Sequence, residues 1–90
     1  MKILIIAGSA PSLINFRGAL IESLTRAGNV VVAVAPADVE VEAKMAQLGA
    51  RFESLNFERA GLNPFSDWSY RQRLKSLISA EQPDVILAST

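Results

Sequence analysis

The residues best suited to bind a ligand lie together near the start of the chain, in Gly8-Ser9-Ala10-Pro11-Ser12-Leu13-Ile14-Asn15. Gly8 lets the backbone approach a ligand closely. A helix opening after such a loop offers free N–H groups and the positive end of its dipole to an anion. Gly8 and Ser9 are therefore candidate binding residues, with a plain strand-to-helix turn as the alternative. Arg17 is expected in the first turn of that helix, where a guanidinium opposes the dipole unless it meets an anion. Its chemistry would be a phosphate or carboxylate contact, or else a salt bridge to Glu22 or Glu58. Two common phosphate signatures do not fit. Only Gly8 is present where G-x-G-x-x-G needs three glycines, and G-x-x-x-x-G-K-[ST] is absent.

Other chemistry is constrained by what the chain lacks. It has no Cys and no His, which excludes disulfides, thiol nucleophiles and zinc sites built from those residues. Any acid–base step near neutral pH would fall to a carboxylate. Asp38 follows a strand, where dinucleotide folds place a ribose-binding acid. Without the glycine fingerprint it is better read as a helix N-cap. Trp68, Tyr70, Arg71, Arg73 and Lys75 put rings and positive charge on one helix, as a peripheral contact with an anionic membrane would need; a solvated basic face is the alternative. Ser89 and Thr90 end the last strand and would face the same crevice as Gly8.

Short strands and amphipathic helices must position these groups. Lys2 to Ala7 and Val30 to Ala35 are continuous apolar runs, the pattern of strands covered on both faces. Between them, Phe16, Leu20, Leu24 and Ala27 recur with helical spacing; Ser12 or Asn15 is the expected cap, and Gly28 the expected terminator. Val41, Met45 and Leu48 form the stripe of a second helix that Gly49 closes. Arg51 to Phe57 is a weaker strand candidate. Asn63-Pro64 signals a turn or helix entry, Ser66 or Asp67 is the expected cap, and Tyr70, Leu74, Leu77 and Ile78 form the inner face of a third helix. Pro83 stops it, and Val85 to Ala88 is the last strand.

Strands alternating with helices give an α/β fold: a Rossmann-like parallel sheet with helices on both faces. Right-handed crossovers predict strand order 3-2-1-4, with a switch point between the first and fourth strands. The 90 residues allow a single domain. Nine basic and nine acidic residues cancel, so no basic footprint marks a nucleic-acid partner. The opening apolar run is shorter than the about 7–15 residues of a signal-peptide core, and a cytoplasmic chain is expected. The last strand reads as one that needs cover: either more protein follows, or the piece dimerises through that edge.

Met1-Lys2-Ile3-Leu4-Ile5-Ile6-Ala7-Gly8-Ser9, Asn15-Phe16-Arg17-Gly18-Ala19-Leu20-Ile21 and Leu24-Thr25-Arg26-Ala27-Gly28-Asn29-Val30 together resemble the opening of family 4 glycosyltransferases, especially bacterial enzymes that build lipopolysaccharide and other surface glycans. Val32-Ala33-Val34-Ala35-Pro36, Leu48-Gly49-Ala50-Arg51-Phe52 and Gln82-Pro83-Asp84-Val85 continue the likeness. The resemblance implies a partial, truncated N-terminal domain of a GT-B enzyme, spanning 1–90, that retains anomeric configuration and is inactive alone. It implies a sugar or lipid-linked acceptor on this side of a cleft, and a nucleotide-sugar donor held mainly by a C-terminal domain. The donor is a substrate, and no separate cofactor is expected. Gly8 and Ser9 match the loop that approaches the donor diphosphate, and Asn15 and Arg17 match the Asn-Phe-Arg stretch of such openings. Asn29 departs from a frequent His at its place in that pattern. A nucleotide-sugar epimerase of similar fold and a stand-alone flavodoxin-like binding module are the alternatives. The first usually carries an Arg-Pro-Glu-like stretch where this chain has Ala10-Pro11-Ser12.

Overall fold

The computed structural model describes residues 1–55 and 64–89, with side-chain placement for all of these except Phe16, residues 64–67 and Ser89. Its elements run β1 (Lys2–Ala7), α1 (Ala10–Arg26), β2 (Val30–Ala35), α2 (Val39–Gln47), β3 (Arg51–Ser54), α3 (Pro64–Glu81) and β4 (Val85–Ser89). All pairings are parallel, and the strand order is β3-β2-β1-β4. The chain is thus an α/β protein with a Rossmann-like sheet in the predicted order.

The sheet divides the apolar side chains by strand alternation. Ile3, Ile5, Ala7, Val31, Ala33 and Ala35 point to one face, under Ala10, Leu13 and Ile21 of α1 and Val41 and Met45 of α2. Leu4, Val32, Val34 and Leu55 pack on the other face against Tyr70, Leu74, Leu77 and Ile78 of α3. Every buried residue of this two-sided core is apolar.

Helix ends explain the sharp turns. Gly28 has φ +91° and Gly49 φ +83°, conformations that a side chain disfavours. After α1, Gly28 N–H donates to Thr25 O and Asn29 N–H to Leu24 O; after α2, Gly49 N–H donates to Ala46 O and Ala50 N–H to Met45 O. Both are Schellman closures, which satisfy the last carbonyls and turn the chain into the next strand. The α3 helix ends without glycine. Gln82 takes φ +47°, its N–H donates to Ile78 O, and Pro83 follows.

Three local expectations change. The first helix begins at Ala10, with Ser9 as N-cap, rather than at Ser12 or Asn15. Pro11 lies within the first turn, where its missing N–H costs nothing, and the Ser12 hydroxyl donates to Ser9 O instead of capping. The buried row is consequently Ala10, Leu13, Ile14, Ile21 and Leu24; Leu20 is 39 % exposed. The α1 helix carries two adjacent apolar rows, and the sheet takes the row that its true start aligns. The third helix begins at Pro64, so Ser66 and Asp67 lie inside it rather than at its cap. The third strand stops at Ser54; Phe57, like Glu58, lies outside the described residues.

Candidate functional site

β1 and β4 end level with each other, Ala7 opposite Ser89, and the chain then leaves β1 through Gly8 and Ser9. Both residues are exposed. Crossovers leave β1 on one face of the sheet and arrive at β4 from the other, the arrangement beside which open parallel sheets place ligands. The Ser9 side chain makes no cap hydrogen bond, so the hydroxyl is not committed to the helix. The Gly8–Ser9 turn is thus at the switch point, beside the opening turn of α1, as its sequence position predicts. A Cβ on Gly8 would meet nothing within 4 Å, so packing does not require glycine at this position.

Asn15 and Arg17 do not converge on that turn. The early helix start places Arg17 seven residues after Ala10, about 10 Å along the axis, well beyond the first turn. There the end effect of the dipole has faded, which removes the electrostatic penalty expected from its sequence position. Arg17 is exposed, and Glu22, one of its two expected partners, pairs instead with Arg26 at 2.6 Å. Asn15 and Arg17 also point about 160° apart around the helix. Asn15 turns towards α2, where it lines a cleft of about 150 Å³ with Pro11, Ile14, Asp38, Glu40, Val41 and Lys44.

Asp38 settles as a structural residue. Its Oδ1 accepts from Val41 N–H at 3.1 Å, and Glu40 and Glu42 complement the dipole in the same first turn. Lys44, with Glu40, is a polar neighbour of Asn15 that the sequence alone did not single out. The signal was available: α1 and α2 both follow right-handed crossovers on the same side of β2, which makes their first turns neighbours. The cleft is smaller than the roughly 300–1,000 Å³ of ligand pockets, so it would hold part of a ligand at most.

A larger hollow, about 380 Å³, lies between the closing turns of the same helices and is lined by Glu22, Thr25, Arg26, Asn29, Gln47, Leu48 and Gly49. It is at the amino ends of the strands, the end where open parallel sheets do not place ligands. The Thr25 hydroxyl is 2.9 Å from Glu22 O and 2.8 Å from Leu48 O, bridging the two helix ends with one proton. The described ion network is also at this end. Glu81 pairs with Lys2 at 2.9 Å and with Arg51 at 2.8 Å, and Arg51 reaches Glu53 at 3.3 Å. Hydrogen bonds from Arg51 and then Lys2 hold the Glu81 carboxyl below the usual carboxylate range, and Glu81 in turn raises Arg51. These charges tie α3 to β1 and β3 far from the Gly8 turn.

On α3, Tyr70 packs partly into the core, while Trp68 is 62 % exposed and Arg71, Arg73 and Lys75 are exposed. Helical spacing places Trp68, Arg71 and Lys75 on one outer face and turns Arg73 to another side. Among the described residues, no helix is long and apolar enough to cross a membrane. Set beside models of protein families and beside curated proteins, the chain matches none.

Proposed function

We propose that the chain forms the acceptor side of a nucleotide-sugar-dependent glycosyltransferase of the GT-B type, working with a second, donor-binding domain to build surface glycans. The observation that carries this reading is the exposed Gly8–Ser9 turn at the β1/β4 switch point of a 3-2-1-4 parallel sheet. A donor diphosphate approaching from a facing domain would meet backbone N–H groups there, without a side chain on Gly8 in the way. Catalysis would rest on positioning and on stabilising charge on the leaving diphosphate within a closed cleft. The resemblance to family 4 enzymes assigns retention of configuration to the complete enzyme.

Arg17 and Asn15 have separate parts in this reading. Arg17 supplies an exposed positive charge to one side of α1, and Asn15 contributes to the polar cleft beside α2. Neither shares a ligand atom with the Gly8 turn. The Trp68–Arg71–Lys75 face of α3 supports a peripheral contact with an anionic membrane, where a lipid-linked acceptor would be met from the cytoplasmic side.

The strand order disfavours the flavodoxin-like module, whose first strands run 2-1-3. The epimerase reading shares the observed order and is separated by assay. An enzyme that carries these residues together with a donor domain should transfer sugar from a nucleotide donor; interconversion of the donor without transfer would favour the epimerase. The 90-residue chain alone should show no turnover and no micromolar heat of binding to nucleotide sugars. A micromolar affinity would overturn the assignment of the donor site to a second domain.

A further inference from the structure

We propose that the cleft between the first turns of α1 and α2 binds one neutral, polyhydroxylated ring, a single sugar unit of a longer glycan. The inference concerns binding alone and holds whether or not the chain takes part in sugar transfer.

The cleft measures about 150 Å³, and its lining residues all lie between Pro11 and Lys44, on α1, on α2 and at the α2 cap. It is at the carboxyl ends of β1 and β2, the end where open parallel sheets place ligands. Ile14 and Val41 belong to the core side of their helices and, with Pro11, give the cleft an apolar floor. Asn15, Glu40 and Lys44 are exposed and form its polar rim.

That rim is uncommitted. Glu40 and Lys44 are spaced i, i+4 with the acid first, the order in which a helical pair closes most readily, yet they form no ion pair. Among the described residues, neither of them nor the Asn15 side chain has a hydrogen-bond partner. Asp38 gives Oδ1 to the Val41 N–H and leaves Oδ2 without a partner there.

Charge selects a neutral ligand. An anion would meet the carboxylates of Asp38 and Glu40, and a cation would meet the Lys44 ammonium and the positive ends of two helix dipoles. A hydroxyl carries neither cost, and it both donates and accepts. The rim offers the matching set: the Asn15 amide does both, Lys44 donates and Glu40 accepts. The C–H face of a sugar ring suits the apolar floor. The volume equals about five waters at liquid density, which is room for one ring, and the exposed rim leaves neighbouring units of the glycan in solvent.

Titration of the isotopically labelled chain with the methyl glycosides of glucose, galactose and mannose, up to about 100 mM because single sugars bind weakly, tests the proposal. At least one should give saturable shifts at the Asn15 side-chain amide and at the backbone amides of Glu40, Val41 and Lys44, with the Gly28 and Gly49 turns unmoved. Asn15→Ala and Lys44→Ala change exposed helix positions, and their amide spectra report whether each chain remains folded. Each should weaken the binding about fivefold, whereas Glu42→Gln, outside the cleft, should not. Inorganic phosphate should leave the cleft amides unmoved; its effect at Gly8 and Ser9 reports on the donor approach, so the two readings fail separately. No saturable shift with any of the three sugars, saturation at amides elsewhere, an equal response to phosphate, or unaltered affinity in either alanine variant would overturn the proposal.

Discussion

The sheet has two edges, and they are finished differently. β3 is short, four residues, and carries Arg51 and Glu53, both drawn into the ion network around Glu81. β4 is one residue longer, uncharged, and exposes Ile86 and Leu87. A charged, short, pinned strand discourages further pairing, and an uncharged one invites it. The difference shows which way the sheet can grow, and it bears on the candidate site. The Gly8 turn leaves β1 where that strand runs beside β4, so the candidate site lies between the well-covered centre of the sheet and its outer strand.

The sharpest way to break this contrast uses a register pair. Ile5 and Leu87 sit side by side on the same face, one fully buried and the other 39 % exposed. Ile5→Ala should cost about 2–5 kcal/mol, enough to unfold most of so small a chain, whereas Leu87→Ala in the monomer should cost no more than about 1 kcal/mol. Urea unfolding at low protein concentration reads both; equal losses would mean that β4 is as well covered as β1.

Next in size is the turn that leads into the closed edge. Gly49→Ala forces a side chain into φ +83° and brings a Cβ to 3.6 Å from that of Thr25, and should cost about 1–2 kcal/mol in the same measurement. An unchanged midpoint would show that β3 does not depend on that closure.

At the end of α3 the sign reverses. Gln82 holds φ +47° without being glycine, so Gln82→Gly should stabilise the chain by up to about 1 kcal/mol. A loss of stability would show that the Gln82 side chain contributes more than its backbone costs.

The smallest effect concerns pH. The Glu81 carboxyl titrates lower in the folded chain than its free value of 4.5, so its contribution is complete above 4.5 and is lost as pH falls through the lower folded value. Glu81→Gln should flatten that acid limb and leave the stability above neutral pH only slightly reduced. Thermal midpoints between pH 2 and 7 would show it, and an acid limb as steep as in the unmodified chain would place the titration elsewhere.

Much of the fold was legible in the sequence because its signals are local. The apolar runs of β1 and β2, the glycines at 28 and 49, and the Val41–Met45 stripe each report one element, and crossover handedness arranges them. What misled was the start of α1. Ser12 and Asn15 are good capping types, but so is Ser9, and Pro11 can sit in a first turn; the helix begins at Ala10 and buries the row that starts there. That shift moved Arg17 out of the first turn and separated it from Gly8. The site was therefore legible as a turn and not as a cluster, since which way Asn15 and Arg17 point depends on where the helix begins. The exposure of β4 was legible too, because an all-apolar strand at the end of the predicted order has no neighbour to cover its outer side.

In the proposed enzyme, anions approach through the Gly8–Ser9 turn. Titrating the isotopically labelled chain with a nucleoside diphosphate, weakly bound at about 1 mM or above, and following its backbone amides would decide it. The predicted result is a progressive shift confined to Gly8, Ser9 and Ala10, with Asp38 to Val41 and the Gly28 and Gly49 turns unmoved. Shifts centred on the α1–α2 cleft or on the amino ends of the strands, or none at all, would contradict it.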